Sequence, residues 1–137
     1  MKGSFCLIIA FLMFICVPSV DAQNAQGSSK YTEWSTPVNL GPSINSAAND
    51  VSANLSRDGR SLYFSSTRLG GWGGEDIWVS HRNSRKDDWG TPINLGPIIN
   101  STGLDRMRYL SPDGHFLLIQ GDRLLGGFGG SDIWVSH

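Results

Sequence analysis

Apolar side chains recur at every second position in several short stretches: Val38/Leu40, Val51/Ala53/Leu55, Leu62/Phe64 and Ile77/Val79. A period of two places each set on one face of an extended segment, so the pattern predicts short strands. Pro42-Ser43, Asp58-Gly59 and the run Gly70-Gly71-Trp72-Gly73-Gly74 separate them, and glycine, proline and aspartate at such breaks mark turns and loops. No stretch sustains the 3.6-residue spacing of an amphipathic helix.

The same pattern occurs twice. Trp34-Ser35-Thr36-Pro37-Val38-Asn39-Leu40-Gly41-Pro42 returns 55 positions later as Trp89-Gly90-Thr91-Pro92-Ile93-Asn94-Leu95-Gly96-Pro97. The register continues through Ile44-Asn45-Ser46 and Ile99-Asn100-Ser101, Asp50 and Asp105, Leu55-Ser56 and Leu110-Ser111, and Asp58-Gly59 and Asp113-Gly114. Past Arg68 and Arg123 one residue is inserted, Leu124-Leu125 against Leu69. From there Gly70 to His81 matches Gly126 to His137 at a spacing of 56. An insertion within a glycine run is what a surface loop tolerates. Four short strands in a unit of this length are the signature of a propeller blade.

The elements W-x-x-P-x-N-L-G, I-N-S, S-P-D-G, L-x-F-x-S-x-R and G-G-x-G-G-x-D-I-W resemble the WD-like β-propeller repeat of the TolB type, found in exported bacterial proteins. The likeness spans residues 34–137 and occurs twice; the first copy departs from it with Arg57 where the second has Pro112. It implies an all-β fold of two four-stranded antiparallel blades, repeat 1 over residues 34–88 and repeat 2 over 89–137. Residues 34–41 would be the outermost strand of the first blade, 51–56 the innermost, 62–65 the next and 77–80 the third. Propellers usually have ~4–8 blades, so two leave large sheet faces uncovered. The missing blades are expected from a longer propeller or from neighbouring copies of the chain. Propellers of this kind serve as binding platforms, as parts of cell-envelope proteins and as accessory domains of hydrolases. The expected function is a non-catalytic, protein-binding scaffold of the cell envelope. A lectin-like carbohydrate-binding module and an accessory propeller piece of a larger hydrolase are the alternatives.

The N-terminus adds a compartment. Lys2 precedes an apolar run of 13 residues, 5–17, then Pro18 and Val20-Asp21-Ala22. That is the layout of a signal peptide cleaved after Ala22, and the run is short for a membrane-spanning helix of ~17–25 residues. Both cysteines, Cys6 and Cys16, lie inside it, so the exported chain would hold no disulfide and no thiol chemistry. Residues 23–33 are polar and read as a disordered lead-in. Eleven basic and twelve acidic residues give a net charge of −1, without the basic excess that nucleic acid or an anionic membrane would require. The partner is expected to be an envelope protein or a glycan, with no membrane insertion after cleavage.

Candidate site residues follow from blade topology. Successive connections alternate between the two ends of a blade, which gathers the loops 42–50 and 66–76 at one rim. That rim would carry Asn45, Asn49, Asp50, Arg68, Trp72 and Asp76, with Asn100, Asp105, Arg123, Phe128 and Asp132 as counterparts. Two readings compete. The polar groups brace long loops, with Asp50 or Asp76 pairing with Arg68, or they form a binding surface on which Trp72 and Phe128 are aromatic anchors. Positions that break the repeat form a second candidate set: Arg106 and Arg108 replace Val51 and Ala53, and Tyr109 replaces Asn54, on the innermost strand that lines a propeller channel. His115 and Gln120 also lack counterparts.

Other motifs resemble chemistry without its requirements. Gly70-Gly71-Trp72-Gly73-Gly74-Glu75-Asp76 places its aspartate one residue late for the calcium nonapeptide and does not recur every nine residues. No Gly-Lys-Ser/Thr or helix follows these glycines to hold a phosphate. Asp58 and Asp113 are read as turn residues, and His81 and His137 as equivalent strand ends. No catalytic set, metal site or cofactor is expected.

Overall fold

The computed structural model describes residues 34–123 and 126–137; the proposed signal peptide, the lead-in and the inserted Leu124-Leu125 lie outside them. Among the described residues all regular structure is β: β1 Asp50–Leu55, β2 Ser61–Ser66, β3 Asp76–His81, β4 Ile93–Asn94, β5 Asp105–Leu110, β6 Leu117–Gly121 and β7 Asp132–Ser136. They form two antiparallel sheets, one of order β1-β2-β3-β4 and one of order β5-β6-β7. The period-two runs at Val51–Leu55, Leu62–Phe64 and Ile77–Val79 lie in β1, β2 and β3, and the Asp58-Gly59 and Asp113-Gly114 turns join the first two strands of each sheet. Gly59 sits at φ 73°, a left-handed conformation that glycine adopts without a Cβ penalty.

One expectation is corrected. Residues 34–41 form no strand, and the second sheet has three strands rather than four. The fourth strand of the first sheet is β4, from the segment expected to open the second repeat; it pairs with β3 through Trp78↔Asn94 and Val79↔Ile93. A strand exists only where an edge offers its N–H and C=O groups. The connection from β3 brings residues 93–94 back to that edge, whereas residues 37–41 meet no strand among the described residues. Their alternating side chains stay outside the core, with Val38 84% exposed.

Two apolar clusters hold the sheets. Ile44, Leu62, Phe64 and Trp78 form one, with half-buried Trp89 against it. Ile77, Met107, Leu117 and Ile119 form the other, edged by Tyr63, Leu95, Ile99, Leu110 and Trp134. The second cluster is the junction: Ile77 and Tyr63 of the first sheet lie on the face of the second that carries Leu117, Ile119 and Trp134. The Met107 N–H donates to Ser65 Oγ at 2.8 Å, and a parallel bridge joins Glu75 and Leu104 across the same junction. β1 and β5 each carry an irregularity, between Val51 and Asn54 and between Met107 and Tyr109. In β1 the bulge includes Ser52 at φ 53°.

Candidate functional site

The rim residues are gathered into equivalent constellations, one per sheet. In the first, Arg68 Nη2 contacts Asp50 Oδ1 at 2.6 Å and also donates to the Ile44 carbonyl at 2.5 Å. Its guanidinium lies over the rings of Phe64 and Trp78, 4.8 and 5.4 Å from their centroids. Asp50 additionally accepts from Ser66 Oγ at 2.6 Å and from the Ser46 N–H and hydroxyl. Burial pushes its pKa up, but the hydrogen bonds from Ser66, Arg68 and Ser46 outweigh that and hold it at about 2, against an ordinary 3.8. In the second sheet Arg123 approaches Asp105 to 3.0 Å and donates to the Ile99 carbonyl, with its guanidinium 5.5 Å from the Trp134 ring.

Because the folded carboxyl of Asp50 ionises more easily than an unfolded one, its contribution is fully present above about pH 4 and is lost as pH falls through about 2. Urea midpoints of the wild type should fall across that window. Asp50→Asn should be less stable at pH 7 and show a flatter decline between pH 4 and 2; an unchanged slope would show that Asp50 does not carry the effect.

The glycine loops are held by the remaining rim aspartates. Asp76, fully buried, accepts the Trp72 N–H at 2.6 Å and Asn94 Nδ2 at 3.3 Å; it does not pair with Arg68. Asp132 accepts the Phe128 N–H at 2.9 Å. The rings themselves face outward, Trp72 being 55% exposed and Phe128 fully exposed. Asn100 is spent on the backbone: its Oδ1 accepts the Ile77 N–H at 2.8 Å and its Nδ2 donates to the Ile77 carbonyl at 3.0 Å. The Asn45 side chain donates to Asn39 Oδ1 at 3.0 Å, and its N–H donates to the Gly41 carbonyl at 2.9 Å. Asn49 donates its N–H to Thr67 Oγ1.

The candidate channel arginines have protein partners too. Arg106 reaches across the junction to Glu75, Nη2 to Oε2 at 2.5 Å, and that carboxylate raises its pKa further. Arg108 donates to Gln120 Oε1, while Tyr109 is half-exposed. Glu75 is the residue that sequence reasoning passed over. The available signal was its own break with the repeat: Ser131 stands at its counterpart, as Val51 does at that of Arg106.

The turn aspartates act locally. Asp58 accepts from the Ser56 hydroxyl, the Arg60 N–H and Arg60 Nε, which lower its pKa. Asp113 accepts from the Ser111 hydroxyl and the His115 N–H, with the same direction of shift. His81 Nδ1 shares a hydrogen bond with Ser61 Oγ at 2.9 Å, and His137 packs edge-on against Phe116. Among the described residues no three His, Cys, Asp or Glu side chains converge as a metal site would need.

The chain matches no family model, no curated protein and no solved structure.

Proposed function

We propose that the chain is an exported, non-catalytic β-propeller module, its two sheets being blades, that binds a protein partner in the cell envelope through its glycine-loop rim. The observation that supports this reading is the division of labour at the rim. Asp50, Arg68, Asp76, Asn100, Asp105 and Arg123 are taken up in bonds within the chain, while the two aromatic rings, at equivalent loop tips, are turned outward. Braced loops that present large rings give contact area at little cost in ordering, the property of interface anchors.

The test uses immobilised protein and its Trp72→Ala/Phe128→Ala variant, offered envelope extract and, separately, a glycan array. A protein retained by the wild type and lost with the double variant, with stability changed by less than ~0.5 kcal/mol, supports the proposal. Array signals that depend on the same rings would place the module with lectins, and binding indifferent to both rings would remove the rim from the account. Mass spectrometry of the envelope-derived protein, expected to begin near Gln23, checks export.

A further inference from the structure

We infer that β7 and residues 37–45 are the two halves of one interface, through which a second copy of this chain docks head to tail as the second sheet docks on the first. The junction inside the chain supplies the template. There, β4 adds to the outer edge of β3, Ile77 inserts between the sheets, and Asn100 clips both backbone groups of Ile77. The counterparts of all these parts are present and unmet among the described residues. β7 is an edge strand, and Ile133 and Val135, equivalents of Ile77 and Val79, are 66% and 54% exposed where those are 0% and 5%.

The complementary half is already shaped. Asn45 Nδ2 and the Gly41 N–H both reach Asn39 Oδ1, at 3.0 and 2.8 Å, as Asn100 Nδ2 and the Gly96 N–H reach Asn94 Oδ1 at 2.9 and 2.8 Å. A groove of about 230 Å³ lies beside them, lined by Leu40, Ile44, Asn45, Val51 and Phe64 among others. The residues equivalent to Leu40, Ile44 and Phe64 are Leu95, Ile99 and Ile119, which surround Ile77 in the junction. Ile133 of the other copy is the side chain that fits this groove, with Val38 opposite Val135 and Asn39 opposite Trp134.

Two further features favour a second copy of this chain as occupant. Gly73 and Gly74 are confined because the next sheet's loop lies against them: a Cβ on Gly73 would collide with the carbonyl oxygens of Gly103 and Ser101. Gly129 and Gly130 keep glycine with nothing within 4 Å of the same position. The loop 46–48 of a second copy accounts for them. Charges match as well. The Glu75–Arg106 pair of the internal junction is replaced by Ser131 facing Val51, so neither side brings a charge without its partner.

The inference does not use the aromatic rim, so failure of the Trp72 and Phe128 test leaves it standing. Sedimentation of the full chain over a concentration series should show reversible self-association. Gly129→Ala, which has open space in the single chain, should keep the wild-type circular dichroism spectrum and weaken association about tenfold or more. In a Cys6→Ser/Cys16→Ser background, mixing Val38→Cys with Val135→Cys should give a disulfide-linked pair of copies. A folded monomer at every concentration overturns the inference. So does an oligomer that Gly129→Ala leaves intact and that forms no 38–135 bridge.

Discussion

Replacing Trp78 by alanine is expected to lower stability by roughly 3–5 kcal/mol, read from urea denaturation at pH 7. The indole is 7% exposed and packs with Ile44, Leu62 and Phe64, with the Arg68 guanidinium over it. Truncation removes this apolar contact and leaves a cavity, because the neighbouring side chains belong to a paired strand and a braced loop and can close in only partly. One effect acts the other way. Trp78 Nε1 is buried without a hydrogen-bond partner among the described residues, and its removal relieves a desolvation cost, which places the expected loss toward the lower end. Trp134, the equivalent residue, is half-buried and does donate, to the Gly121 carbonyl at 3.3 Å. Trp134→Ala should therefore cost less than Trp78→Ala. Equal losses would mean that the two indoles are buried alike.

That inequality marks the limit of what a repeat can reveal. Identical residues at 78 and 134 predict identical roles, and period-two alternation places both tryptophans on a strand face. Burial is then decided by what covers the face, which no local pattern encodes. The same reasoning explains residues 37–41. They carry the strand signature of residues 92–96 almost letter for letter, yet only residues 93–94 meet an edge, since pairing is a property of two segments and the sequence shows one at a time. The turns were legible because Asp58-Gly59 and Asp113-Gly114 act through their own backbone. The arginines at 106 and 108 were legible as exceptions, but their partners were not. Glu75 lies 31 positions from Arg106, and only the stacking of the two sheets brings them together. At the rim the choice between bracing and binding rested on distances that alternation does not contain, such as the 2.6 Å from Asp50 to Arg68.

Asp105→Ala is expected to be among the most damaging single changes, again about 3–5 kcal/mol. The Asp105 side chain is fully buried, and it answers two groups at once: the Ser101 N–H, which donates to Oδ2, and the Arg123 guanidinium, 3.0 Å from Oδ1. The approach of Arg123 is an ion contact without hydrogen-bond alignment, and Arg123 Nε has no hydrogen-bond partner among the described residues. Asp105 is thus the acidic neighbour that, among the described residues, balances a guanidinium most of whose surface is covered. Alanine would strand that charge beside the Ile99 carbonyl and the Trp134 ring, and would orphan the Ser101 N–H that fixes the 101–103 loop against Gly73. The loss is therefore expected to reach the junction between the sheets as well as the rim. Asp105→Asn keeps an acceptor for Ser101 and should lose less. Adding Arg123→Met to Asp105→Ala should recover part of the stability by removing the uncompensated charge, giving a positive coupling in the double-mutant cycle. A loss near 1 kcal/mol with no recovery would show that solvent reaches Arg123 once the carboxylate is gone, and that this pair contributes no more than an exposed one.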